Sequence, residues 1–494
     1  MMKEQSFGAS SDKVSDWQAV DWPEVRQQVR RLQLRIAKAI RAGKYGKAKA
    51  LSWLLTHSRS AKLLAVKRVT ENKGAKTPGV DNKLWRTDRQ KYAAVQNLKR
   101  RDYRPLPLRR HYIPKKNGKM RPLSIPTLRD RAMQALHALA LTPIAETIGD
   151  RNSYGFREGR ACADAIGQCF CALAKSYAPV WVLEGDIKSC FDRISHQWLL
   201  KTIPMDKRML RLWLEAGYWE KGRLFPTSEG TPQGGIISPV LANLTLDGME
   251  QAIRSRIKIR RDQVNFIRYA DDFIVTARKK ETLEQIVKPA VVAFLKERGL
   301  ELSEQKTTIT HIETGLNFLG QNVRKYHNKL VIKPTKEGSK ALVQKTRECI
   351  KGMLGQKAET LIKMLNPIIR GWANYHRYVC CSETFHTTDR IIHYQLLRWA
   401  RRTHPNKSYG WLKRKYFNLA GVFGFATRTR TRTGESKVLR AYSIARTVLL
   451  RHIKVRGEAN PYDPVYTEYF EKRRCFVWRT LPREWTGQMV LAGL

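Results

Sequence analysis

For its size the chain has little acid and little cysteine. Among 494 residues, 43 Asp and Glu stand against 93 Lys and Arg, a formal charge of +50. A protein so short of negative charge repels itself unless a polyanion neutralises it, which points to RNA or DNA as partner, held with a steep salt dependence. The eight cysteines form no paired CxxC arrangement and no disulfide framework, so a disulfide-stapled fold is excluded and no structural zinc is expected. No apolar run reaches roughly 18 residues and no signal-peptide core opens the chain, so a membrane partner is not expected and the cytoplasm is the default location. Apolar residues are not scarce. At 42% they can fill the cores of roughly two to four domains.

The few carboxylates fall in a pattern. Residues 266–275 set two short β-branched and aromatic runs around adjacent Asp271 and Asp272, which predicts strand, tight turn, strand, with both acids at the tip. Neighbouring carboxylates on a buried hairpin repel one another and take up protons unless a cation lies between them. A solvated turn would carry the same letters. Upstream, residues 180–187 form a second apolar run that delivers Asp186. Three carboxylates from two strands can hold two Mg²⁺ ions, which activate an attacking hydroxyl and steady a departing pyrophosphate. That is polymerase chemistry.

Tyr269-Ala270-Asp271-Asp272 resembles the signature of reverse transcriptases, and the blocks around it resemble the proteins encoded within group II introns, which are reverse transcriptases and RNA-splicing maturases. The resemblance covers residues 20 to 455 with its motifs in order. It implies an α+β fold: right-hand polymerase fingers and palm behind an N-terminal helical extension, then a three-helix thumb (the maturase X domain) and a small basic C-terminal DNA-binding region. The implied segments are a flexible tail at 1–20, the extension at 21–95, fingers and palm at 96–335, the thumb at 336–418, and the DNA-binding region with a truncated tail at 419–494.

Along the chain, Val25, Val29, Leu32, Ile36 and Ile40 predict a helix from Pro23 to Gly43, and its other face carries Arg26, Arg30, Arg31 and Arg35, read as facing RNA. A second helical run is expected from Lys47 to Val69. Residues 112–123 read as a basic hairpin turning at Asn117-Gly118. Similarity to reverse-transcriptase fingers makes Arg121 and Lys115 the clamp on the nucleotide phosphates. The family block at 152–157 brings Arg157 toward the template. By the same resemblance Phe191 blocks a ribose 2′-hydroxyl, the Ile187 carbonyl is a further metal ligand, and Lys306 is the lysine near the active site. Asp192 reads as structural or RNA-contacting. The glycine-punctuated loop at 230–239 brings Gln233 to the nascent nucleotide.

From Gly338 the pattern is helical, with runs near 338–355, 357–379 and 383–403, the last with Ile391, Ile392, Leu396, Leu397 and Trp399 on one apolar face. Residues 370–375 resemble the maturase signature, so Arg370, Trp372, Tyr375, Arg398 and Arg401 are expected on RNA. From Thr427 to Thr433 threonine and arginine alternate, so a strand would set Arg428, Arg430 and Arg432 on one face to track phosphates. A mobile basic loop fits the same letters. Many relatives end in a zinc-supported HNH endonuclease; after His452 this chain offers only Cys475, so none is expected.

The expected partners are a group II intron RNA, a target DNA and deoxynucleoside triphosphates, met in a bacterial cytoplasm near the nucleoid. The alternatives are a non-catalytic maturase with a vestigial polymerase site, and the reverse transcriptase of a CRISPR-linked or diversity-generating element. The intact triad Asp186, Asp271 and Asp272 weighs against the first, and the block at 370–375 against the second.

Overall fold

The first long helix, Trp22–Arg41, is set by Asp21, whose carboxylate accepts from the Glu24 N–H, and by a proline in its first turn. In this computed structural model, which describes residues 17–114, 118, 120–257, 262–419, 422–430 and 434–479, it buries Val25, Val29, Ile36 and Ile40. The single run expected from 47 to 69 is two helices, Tyr45–His57 and Arg59–Thr70. They break at Ser58, which is extended and caps the second through its hydroxyl. These helices pack on Leu128–Ile148, which is buried on most of its circumference.

The described residues divide into two compact units. One is made of the stretch up to Ala161, Leu183–Ile309 and the stretch onward from Val455; the other is made of Cys162–Val182 and Thr310–Lys454. In the first, Leu108–Pro114 pairs antiparallel with Met120–Ile125, from Arg109 opposite Ile125 to Pro114 opposite Met120. The sheet that carries the acids orders its strands Asn265–Tyr269, Asp272–Ala277, Trp181–Asp186 and Thr308–His311. Phe266, Ile267, Phe273, Ile274 and Val275 are buried in its hairpin. Each such side chain contributes about 1.5–3 kcal/mol on burial, enough together to hold two repelling acids at the tip.

The second unit carries the predicted helices at Lys336–Gly352, Ala358–His376 and Ser382–Thr403. Their core includes Leu361, Leu365, Ile369, Phe385, Leu396 and Trp399. Of the residues expected on the apolar face, Ile392, Leu396 and Trp399 are buried, whereas Ile391 is exposed. Ala426–Arg430 and Ser436–Arg440 pair antiparallel, so the alternating stretch is a strand as far as Arg430. Phe425 and Ile444 belong to the same core as the three helices, so the described residues between 419 and 454 build on that core.

Candidate active site

The acid turn is built by close approach. Tyr269 pairs with Asp272, leaving Ala270 and Asp271 as the turn, and Ala270 takes a left-handed φ of 57°. Gly155 lies against it: a Cβ there would stand 2.3 Å from the Ala270 nitrogen, so only glycine permits the contact. Beneath, the fully buried Arg268 donates to the Ala270 carbonyl at 3.2 Å and to Asn243 Oδ1 at 3.3 Å, and is ion-paired to Asp247. Neither Gly155 nor Arg268 was singled out by sequence reasoning.

The block at 152–157 is part of this brace. Arg268 N donates to the Asn152 carbonyl and Tyr154 N to the Arg268 carbonyl, both at 2.9 Å. Arg157 was expected to meet the template, and here the structure corrects the expectation. Its guanidinium is buried, ion-paired to Glu146 at 2.8 Å and bonded to the Asp150 and Ser153 carbonyls, so its charge is spent inside the protein. Phe156 is the exposed aromatic residue of the block, its ring edge-on to Phe191 at 6.3 Å.

Asp186 ends the strand next to the hairpin. A Cβ on Gly185 would fall 2.2 Å from the Phe273 ring, so the two strands meet closely only because position 185 is glycine. Residues 301–303 run beside Asp186, Ile187 and Lys188, with Ser303 N donating to the Asp186 carbonyl and Lys188 N to that of Glu301. This run delivers Lys306, whose Nζ lies 2.8 Å from Asp186 Oδ2. That hydrogen bond is the main cause of the raised Lys306 pKa, with Asp272 and Asp271 adding to it.

The three acids feel one another. Burial holds the Asp271 carboxyl above its ordinary range and the Asp186 charge pushes the same way, opposed by Arg121 and Lys306. Burial, then Asp271 and Asp186, push Asp272 up to about 6. Glu184, two residues before Asp186 and so on the same strand face, is also pushed up to about 6, by burial and then by Asp272 and Asp186. Sequence reasoning missed it, although strand alternation was the signal.

Among the described residues no group of three His, Cys, Asp or Glu side chains stands ready to hold a metal ion. The donor set nonetheless suits a hard divalent cation: oxygen ligands only, mutually repelling, with an ammonium already drawn onto one of them.

Among the residues expected on the nucleotide, Arg121 Nε donates to Gln233 Oε1 at 2.7 Å, and Gln233 Nε2 donates to Asp192 Oδ2 at 2.9 Å. Phe191 is half-buried, and its carbonyl accepts from Thr231 N. Lys115 and Arg432 lie outside the described residues.

Of the residues expected on RNA or DNA, Arg26, Arg31 and Arg35 are exposed, as are Arg398, Arg401, Arg428 and Arg430. Arg30 departs from this. It donates to the Pro461 carbonyl and lies 4.5 Å over the Tyr462 ring, folded onto its own chain. Arg370 is half-buried over Tyr442, and Trp372, also half-buried, packs 5.5 Å from Phe385 of the second unit's core. Tyr375 is exposed and donates to the Leu319 carbonyl. A cavity of about 960 Å³, lined by Trp53, Leu98, Arg100 and His137 among others, contains none of the site acids. No helix among the described residues is long and apolar enough to cross a membrane.

Residues 17–98 match the family described as the N-terminal domain of reverse transcriptase, residues 113–323 the reverse transcriptase (RNA-dependent DNA polymerase) family, and residues 339–417 the group II intron, maturase-specific domain. Protein YkfC of Escherichia coli (strain K12) is 36% identical over 302 residues, 52% of this chain and 78% of that protein. Group II intron-encoded protein LtrA of Lactococcus lactis subsp. cremoris is 31% identical over 329 residues, 53% of this chain and 54% of that protein; the match thus spans about half of LtrA. Among solved structures, apo telomerase from Candida tropicalis aligns with 62% of each chain at 15% identity and a TM-score of 0.39, too slight a likeness to argue from. The matched families define a reverse transcriptase followed by a maturase-specific domain. The chain belongs to the family of group II intron-encoded reverse transcriptases with a maturase domain.

Proposed function

We propose that the chain is an RNA-directed DNA polymerase and RNA-splicing maturase, which binds its group II intron RNA, promotes its splicing and copies it into cDNA at a DNA target in the cytoplasm. The observation that carries this reading is the convergence of Asp186, Asp271 and Asp272, from two neighbouring strands, on one charged site. These three, with the Ile187 carbonyl, would hold two Mg²⁺ ions. When bound, such ions lower the pKa of a primer hydroxyl and neutralise the charge on a departing pyrophosphate.

The chain's own residues do the rest. Arg121 takes the triphosphate oxygens, Gln233 meets the nucleotide's sugar, and the Phe191 ring leaves no room for a 2′-hydroxyl. Lys306 holds the Asp186 carboxylate in place between turnovers. The exposed arginines of the first helix, of Ser382–Thr403 and of Ala426–Arg430 grip nucleic-acid backbone. The test is primer extension on an RNA template with Mg²⁺, with RNA affinity measured on the same preparation. Normal cDNA yield from Asp271→Ala with Asp272→Ala would end the assignment, and splicing assistance without copying by the native chain would favour a vestigial polymerase.

A further inference from the structure

The loop at 230–235 is fastened on two sides. Ser124 N donates to the Gln233 carbonyl at 2.7 Å on the finger side, and Gly230 N donates to the Ile194 carbonyl on the other. Gly234, at a φ of 121°, lies so close to the Ser124 carbonyl that a Cβ would fall 2.7 Å from its oxygen. The Gln233 backbone is thereby fixed. Its amide still has two orientations of nearly equal shape.

The neighbours choose between them. A guanidinium has donors only, so it must meet Oε1; that leaves Nε2, which needs an acceptor, and an ionised Asp192 is an acceptor only. The chain of bonds Arg121, Gln233, Asp192 can be written in one direction, with a charged group strengthening each end. It engages Arg121 through Nε, which leaves the two Nη groups for phosphate oxygens. Take Asp192 away and Nε2 is orphaned; the amide can then turn and present its NH₂ to the guanidinium, displacing it.

We propose that Asp192 is a positioning residue for the incoming deoxynucleoside triphosphate, acting through the Gln233 amide to hold Arg121 in its phosphate-binding pose. The proposal rests on the reading of Arg121 as phosphate clamp. It assigns Asp192 a task in nucleotide affinity, distinct from metal binding and from RNA contact.

Single-nucleotide incorporation on an RNA template tests it, with kcat and KM for the nucleotide measured separately. Asp192→Ala is expected to raise KM about tenfold and to change kcat less than about threefold. Gln233→Glu sets a carboxylate against Asp192 and raises KM by a similar factor. Adding Asp192→Asn to Gln233→Glu restores every bond, because the amide introduced at position 192 now donates to the carboxylate introduced at position 233, which still accepts from Arg121. That double variant, nearly isosteric with the native pair, should lower KM at least about threefold below that of Gln233→Glu alone. A double variant no better than Gln233→Glu alone, or an Asp192→Ala enzyme that loses kcat at unchanged KM, overturns the proposal. Arg121→Ala separates the two layers: if it leaves KM unchanged the clamp reading itself falls, whereas a raised KM with no coupling between positions 192 and 233 sinks the positioning role alone.

Discussion

Two antiparallel strand pairs in this chain have the same local structure and use charge in opposite ways. In the pair Asn265–Tyr269 and Asp272–Ala277, the interior of both strands is buried, so acids can stand only at the tip, where burial and mutual repulsion raise their pKa. In the pair Ala426–Arg430 and Ser436–Arg440, Arg428 and Arg430 lie exposed on one face about 6.6 Å apart, while Thr427 and Thr429 are half-buried on the other. A charge that the fold half-desolvates becomes a chemical group seeking a counter-ion. One left in water along a strand face becomes a point of adhesion to a polyanion, individually weak and additive.

The sharpest way to break this comparison is to remove the tip. Asp271→Ala with Asp272→Ala should cut primer extension on the order of a thousandfold or more while leaving RNA affinity unchanged, checked by cDNA yield and filter binding side by side. The next effect tests a buried charge that carries no chemistry. Arg157→Ala leaves Glu146 unpaired in the interior and should cost about 3–5 kcal/mol in denaturant unfolding, with RNA affinity of the folded fraction unchanged.

Smaller still is the converse of the first. Arg428→Ala with Arg430→Ala should weaken nucleic-acid binding a few-fold and reduce the salt slope by about 2, without altering incorporation on a saturating primer-template. The least effect concerns stability at the acid tip. Asp272 titrates at about 6 when folded, above the ordinary 3.8, so the folded state loses stability as pH rises through that window. Asp271→Asn with Asp272→Asn should therefore raise the metal-free melting temperature by about 2 °C near pH 8, and the gain should shrink toward nothing as pH falls from 6 to 3.8. A gain that grew on acidification would contradict the partial desolvation of these groups.

The acids themselves were legible in the sequence because polymerase chemistry needs carboxylates at strand ends, and apolar runs flanking Asp186 and Asp271 mark such ends in one dimension. The three helices were legible for a similar reason, their period being local. Arg157 and Arg30 were not. A basic letter carries no sign of whether a distant carbonyl or carboxylate will reach it, and Glu146 and Pro461 do so only through the fold. Arg268 escaped notice because in a strand of alternating residues it reads as solvated, although it is the buried post under Ala270. Asp192 was read as structural or RNA-contacting; its carboxylate acquires meaning only beside Gln233, 41 positions away.

The most direct measurement of the central claim is Mn²⁺ binding, followed by electron paramagnetic resonance, in the presence of a primer-template with a terminated 3′ end and the next nucleotide. Two ions are expected per native chain and neither in a variant carrying Asp186→Asn, Asp271→Asn and Asp272→Asn that still binds RNA. Undiminished Mn²⁺ occupancy in that variant would contradict it.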